Sequence, residues 1–357
     1  MTGLPRLPRV MTGHRALVAD AWGRRFATLS RALGAPTPPP GALDREALAR
    51  ALGTLIDPVD PALVWLTLAT LTATFPTDTV VAEATHVARI SGGQSLAEWV
   101  SSGTDPGTAH WDVKIIDKIL VDVDHTMSVP FTTGIQRVAR ESVSRWLGHA
   151  DCVPVGWTPG HGALRELTAA EIARITKPVR HHDPFDRKGP CTVLVPHGAT
   201  YILPELAAEV DRTTRLRSLA RFAQCRTGVI GFDCVPITSA ETTAAGMSTF
   251  ALNLAAVRHF DVVAAISNAA AKEYRGWRQS LSGLGVRGPQ VEPVLLPVQV
   301  PDSTPESMAK ARERFVVPGL ALVLVVGSHE PRKNHLAVLH AAEILWREGH
   351  QFNLSFV

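Results

Sequence analysis

The residues best suited to chemistry stand in a short loop, Glu330-Pro331-Arg332-Lys333-Asn334, that follows the apolar run ending at Gly327. Two adjacent cations between an apolar strand and the start of a helix can grip a phosphate or diphosphate, because the helix supplies free N–H groups and a favourable dipole. A second loop, from Thr132 and Thr133 through Gly134 to Arg137, also links a strand to a helix. Glycine there allows a ligand to approach the backbone, and Arg137 adds charge one turn on. The alternative is a glycine needed only for a tight turn. Asp122-Val123-Asp124 is a DxD pair at a strand end, able to hold a divalent metal or to orient loop backbone by hydrogen bonds. Asp233, in GFDCVP, leaves another strand at its C-terminal end, on the ligand side of an open α/β sheet. It can contact substrate or cap a turn ahead of Pro236. His181, His182 and His197 are possible acid–base groups without metal-ligand spacing. A GxGxxG string, Gly283 to Gly288, follows a helix and runs into Pro289, the wrong context for a dinucleotide site.

Three zones of differing periodicity must position these groups. Up to about residue 110 the pattern is helical, and an all-α accessory region over 1–110 is expected. Leu17, Trp22, Phe26, Leu29 and Leu33 recur at roughly helical spacing. Asp44 caps a second helix with Leu48, Leu52 and Leu55 on one face, and a third helix covers Pro61 to Phe75. From 111 to 300 apolar strands alternate with helices. Strands are expected at 118–123, 152–155, 192–195, 229–233, 262–266 and 291–296, and helices at 134–147, 204–222, 244–260 and 268–281. Thr168 with Glu171 reads as a capping box, and Ser267 as an N-cap. Such alternation predicts a parallel sheet covered on both faces. From 301 to 357 a helix, a strand at 320–326, a helix at 334–348 and a last strand make one βαβ unit. That unit leaves an open sheet edge, so the chain is expected to be one piece of a longer protein.

Composition sets outer bounds. The chain has 357 residues, 45% of them hydrophobic, enough for a sizeable core in two or three domains. A formal charge of +3 without a basic run argues against a nucleic-acid partner. Four scattered cysteines lack CxxC spacing and suit free thiols in a reducing cytosol. The opening MTGLPRLPRV lacks a secretory apolar core, and a cytoplasmic location is expected, with room for peripheral membrane contact. The uncharged stretch from Pro61 to Thr77 is short for a membrane span and reads as a buried helix.

VVGSHEPRKNH resembles the opening of the second domain of the retaining GT-B glycosyltransferases, a large family that includes many bacterial mannosyltransferases. KILVDVDHTMSVPFTTGIQRVARE is similar to the first strand, loop and helix of their first domain. GVIGFDCVPI and FDVVAAISNAAAKEY resemble later strands of that domain, so the likeness covers roughly 114–357. It implies an α/β fold: a GT-B-like Rossmann domain on the acceptor side, then the start of a donor-binding Rossmann-like domain. It also implies transfer of a hexose, with retention, from a nucleotide-diphosphate sugar to a glycan or lipid-linked acceptor in polysaccharide synthesis. Under that resemblance Gly327, Arg332 and Lys333 hold the donor diphosphate, while Thr133, Gly134, Arg137 and Asp233 face substrate. No metal or other cofactor is implied. The catalytic and donor-binding glutamates of the family are expected beyond Val357, which leaves catalytic residues unassigned and predicts an inactive fragment. Phe232 stands where the family often has His, and a non-catalytic sugar- or partner-binding module derived from the same fold is the alternative.

Overall fold

The computed structural model describes residues 9–37, 41–56, 60–129, 133–149, 151–176, 191–242, 246–297 and 302–357, with side chains from residue 15 onward. They fall into two compact units. One comprises residues up to 232 together with 251–294, and the other comprises 233–250 together with 295–357.

The first unit opens with five helices: α1 (Arg9–Ala32), α2 (Arg45–Leu55), α3 (Pro61–Thr72), α4 (Asp78–Ser91) and α5 (Leu96–Gly103). Asp44 caps α2, its carboxylate accepting the Ala47 N–H at 2.8 Å. On α1, Trp22, Phe26 and Leu29 are buried, but Leu17 is 60% exposed. Five residues separate Leu17 from Trp22, which sets it roughly 140° around the helix from that face. Helix α3 is buried from Val64 through Thr72, so its uncharged run is a core helix. Among the described residues no helix is long and apolar enough to cross a membrane.

These helices share a core with the sheet that follows. Trp65 packs on Phe75 (ring centroids 5.2 Å apart), and Phe75 meets Trp157 of the sheet edge-on at 5.8 Å. Arg25 is buried with no ion pair among the described residues, and donates instead to the carbonyls of Leu71 (3.0 Å), Thr108 (2.6 Å) and Trp111 (3.3 Å). Burial, reinforced by nearby Arg24, lowers its pKa to about 10.

The nine strands are β1 (Asp112–Ile116), β2 (Ile119–Asp122), β3 (Cys152–Trp157), β4 (Leu164–Glu166), β5 (Thr192–Pro196), β6 (Thr200–Leu203), β7 (Arg226–Gly231), β8 (Val262–Ala265) and β9 (Gln290–Pro293). Their order is β1-β5-β4-β3-β2-β6-β7-β8-β9. All neighbours are parallel except β4, which runs antiparallel to both β3 and β5. The all-parallel expectation is therefore corrected to a mixed sheet: a tight β3–β4 hairpin inserts one reversed strand. Strands β1, β4 and β6 were not anticipated, and β1, not the strand at 118–123, is the first of the sheet.

Helices α6 (Asp124–Ser128), α7 (Gly134–His149), α8 (Ala169–Thr176), α9 (Val210–Phe222), α10 (Val235–Thr238), α11 (Met247–Val257) and α12 (Asn268–Gly283) connect these strands. Two predicted caps form. Thr168 and Glu171 make the reciprocal box at α8, and Ser267 accepts the Ala270 N–H at 3.0 Å. Helix α9 begins six residues later than predicted, because Pro204 and Glu205 are used to leave β6. The GLGVRG string runs from the end of α12 toward β9, a helix-to-strand turn as expected.

The second unit contains α13 (Pro305–Phe315), β10 (Ala321–Val325), α14 (His335–Arg347) and β11 (Phe352–Phe356). The two strands pair in parallel from Ala321↔Phe352 to Val325↔Phe356, one βαβ crossover as predicted.

Candidate functional site

In the first unit the chain adds β3, β4 and β5 on one side of β2, then returns to place β6 on the other. The C-terminal ends of β2 and β6 therefore flank the switch point of the sheet, where open α/β folds take their ligands. Thr133, Gly134 and Arg137 follow β2 by way of α6. The Thr133 N–H donates to Gln136 Oε1 at 3.0 Å, and its hydroxyl bonds the same oxygen. Buried Gln136, which the sequence did not single out, thus reaches back to satisfy the Thr133 N–H at the start of α7, one half of a capping box. Gly134 is exposed, with no described atom within 4 Å of the place a Cβ would occupy, and Arg137 is exposed one turn on. Thr132 lies outside the described residues, as do His181 and His182. His197 is half-buried, and burial holds its pKa below the ordinary value.

Beneath that loop lies a buried charge network. Asp122 accepts from Trp157 Nε1 (2.7 Å), from the Tyr201 hydroxyl and from the Asp124 N–H (3.1 Å). The Arg212 guanidinium, fully buried on α9, reaches Asp122 at 2.9 Å and Glu205 at 2.6 Å. Glu205 in turn accepts the N–H groups of His125 and Thr126, both at 2.7 Å, so its carboxylate fixes the start of α6. Arg140 of α7 donates to the Thr126 carbonyl at 3.0 Å and clamps α6 from the other side. Burial pushes the Glu205 carboxyl up, against the pull of Arg212. Burial alone would discharge Arg212, but Asp122, Glu205 and Asp124 hold it charged, well above its ordinary value. Isolated buried charges are costly, and mutual pairing is what allows Asp122, Glu205 and Arg212 to lie inside.

The DxD pair therefore orients backbone. Asp124 accepts the Trp157 N–H at 2.8 Å with one oxygen, and the other lies 3.5 Å from His161 Nε2. Sequence reasoning missed Glu205, Arg212, Tyr201 and His161. The signal for Arg212 was present: a carboxylate closing an apolar strand demands a cation, and Arg212 falls on the buried stripe of α9 with Leu216 and Leu219.

In the second unit the cation loop leaves β10 at Gly327, whose φ of 149° favours glycine, and where a Cβ would meet the Lys333 side chain at 3.7 Å. Pro331–Lys333 form one 3₁₀ turn, and Asn334 takes a left-handed conformation (φ 51°, ψ 40°) before α14. Arg332 Nε is paired with Glu330 Oε2 at 2.6 Å, and Ser328 donates to the other oxygen at 2.6 Å. These hydrogen bonds, Ser328 first and then Arg332, keep the Glu330 carboxyl below its usual range. The two predicted cations thus differ: Arg332 carries a carboxylate, while Lys333 makes no ion pair among the described residues. Asp233 is exposed, and its Oδ1 accepts the Val235 N–H at 3.3 Å ahead of α10, the turn-capping arrangement. Gly327, Arg332 and Lys333 lie together between β10 and α14, and Thr133, Gly134 and Arg137 at the start of α7.

Known proteins add a distant relationship. No protein-family model matches the chain, and no solved structure matches it. Two curated sequences of the serotype-specific mannosyltransferase WbdA of Escherichia coli are each 24% identical to it over 251 residues, 67% of this chain. The aligned stretch covers 29% of one relative and 30% of the other, so the chain spans less than a third of their length. The chain is thus an α/β protein, built on a large mixed sheet and distantly similar to a mannosyltransferase.

Proposed function

We propose that this chain is part of a retaining glycosyltransferase of GT-B type, moving a hexose from a nucleotide-diphosphate sugar to a hydroxyl of a glycan or lipid-linked acceptor in polysaccharide biosynthesis. The 251-residue similarity to a mannosyltransferase carries the reading. The strand–cation loop–helix arrangement at Gly327, Arg332 and Lys333 supports it, since stabilising charge on a departing diphosphate is the main catalytic demand of such a transfer. In that reaction the bond from the anomeric carbon to the diphosphate oxygen breaks on the face where the acceptor oxygen bonds. The acceptor proton passes to the departing diphosphate. Lys333 would neutralise the diphosphate, and the open approach at Gly134 would admit substrate to the first unit.

The test is calorimetric titration of the full-length protein with a panel of nucleoside diphosphates and nucleotide sugars. Lys333→Ala is expected to weaken binding of the preferred nucleotide by roughly tenfold or more, the worth of a charge-assisted hydrogen bond. Equal affinity in both proteins would remove Lys333 from the site.

One observation favours the non-catalytic alternative: Phe232 is only 5% exposed, a buried ring where an imidazole would be expected. A protein that binds nucleotide sugar yet turns none over with any acceptor would support it.

A further inference from the structure

The hairpin loop between β3 and β4 carries a histidine in a constrained and functionally suggestive setting. Thr158 and Ala163 close the loop, the Thr158 N–H reaching the Ala163 carbonyl at 2.9 Å and the Ala163 N–H reaching Thr158 Oγ1 at 3.0 Å. From the helical region, the Phe75 N–H donates to the Gly162 carbonyl at 2.8 Å. Within this frame Gly160 (φ 71°) and His161 (φ 53°) are both left-handed. Glycine adopts that conformation freely, but a histidine held there costs about 1–3 kcal/mol, strain that persists only where its surroundings impose it.

The His161 side chain is 19% exposed, and its Nε2 lies 3.5 Å from the buried Asp124 carboxylate. The opposite Asp124 oxygen is held by the Trp157 N–H, so the carboxylate cannot turn away. Nε2 is the ring nitrogen turned toward Asp124, which leaves Nδ1 for another partner. Glu209, just ahead of α9, is half-exposed and 3.5 Å from Arg212, and the turn at Pro159–His161 packs against α9. An imidazole and a carboxylate thus stand beyond the C-terminal ends of β3 and β6, on the side where the sheet switches direction. Such a pair suits the hydroxyl donors of a pyranose.

We propose that His161, oriented by Asp124 and assisted by Glu209, forms a hydroxyl-recognition subsite for a sugar in the first unit. Naming that sugar as the acceptor glycan rests on the transferase reading above; the subsite itself does not. His161 is a binding residue here, and the 73–76 segment, through Phe75, holds its loop in place.

The experiment uses the full-length protein with methyl α-D-mannopyranoside and mannobiose as probes. Asn tolerates the left-handed backbone, so His161→Asn removes the imidazole without disturbing the turn. Titration followed by imidazole ¹⁵N resonances is expected to shift one signal that is missing from the variant. His161→Asn should weaken saccharide binding by about tenfold with the thermal midpoint unchanged, and Glu209→Gln by several-fold, both with nucleoside diphosphate affinity unchanged. If saccharide binds through His161 but no nucleotide sugar supports transfer, the subsite stands and the enzyme reading fails. If transfer occurs with the same acceptor KM in both proteins, the enzyme reading stands and the subsite is overturned. Absence of saccharide binding to the wild type, or equal binding to the variant, also overturns it.

Discussion

Arg212 is the residue on which the strand ends of the first unit depend. Its single guanidinium answers Asp122 from β2 and Glu205 from beyond β6, and Glu205 then holds two N–H groups of α6. Arg212→Met keeps the volume but leaves both carboxylates buried without a cation. Breaking a buried pair in this way costs about 3–5 kcal/mol. Chemical denaturation of the full chain is expected to show a loss of that size, whereas a change under about 1 kcal/mol would mean that water already reaches the network. The same logic separates the two loop cations of the second unit. Arg332 is already committed to Glu330, so the mutation that tests diphosphate binding is at Lys333.

At the scale of elements, side chains that satisfy helix ends mark most boundaries. Helix α8 starts where predicted because Thr168 and Glu171 answer each other's N–H groups, at 2.7 and 3.3 Å. Arg165 of β4 adds a two-pronged bond to the same Glu171, at 2.6 and 3.0 Å. Thr168→Ala is expected to cost about 1 kcal/mol in the unfolding free energy. Glu171→Gln should cost more, since it also leaves Arg165 buried without its anion. Urea midpoints of the two variants would rank them, and the reverse order would show that the cap, not the ion pair, dominates. Of the three strands that periodicity overlooked, β6 has only four residues and the other two are of mixed composition. DVKII (β1) alternates charge with apolar residues and lies at the sheet edge, and LRE (β4) is three residues long. Neither presents the continuous apolar run by which a buried parallel strand is recognised.

For the whole molecule, the helical region and the large sheet are joined by specific ties as well as by apolar packing. Asp78 of α4 accepts from Arg217 and from Arg221 (3.0 Å) on α9. Near this cluster His259 follows α11. Burial, with the nearby cations Arg258, Arg221 and Arg217, lowers its pKa from 6.5 to about 4. Between those values the unfolded chain binds a proton that the folded chain refuses, so stability falls as pH drops from about 6.5 toward 4. His259→Gln should flatten the stability-versus-pH curve across that window, as read from thermal melts at half-unit pH steps. An unchanged slope would assign the acid sensitivity to other groups.

Legible in the sequence were most strands and helices from 119 onward, though not β4 or β6, the caps at Asp44, Thr168 and Ser267, the core character of α3, and the strand–loop–helix around Arg332 and Lys333. These follow from periodicity and local hydrogen bonding, which act between residues close in the chain. Tertiary structure alone decided the insertion of β4, the burial of Asp122 and Asp124, the pairing of Arg212 with Glu205, and the setting of His161. Arg212 and Glu205 lie only seven positions apart, but Trp157 meets Asp124 across 33 positions and Tyr201 meets Asp122 across 79, where no local pattern reports which group will meet which. Folding brings them together because a buried carboxylate must find a donor, and it does not matter how far along the chain that donor lies.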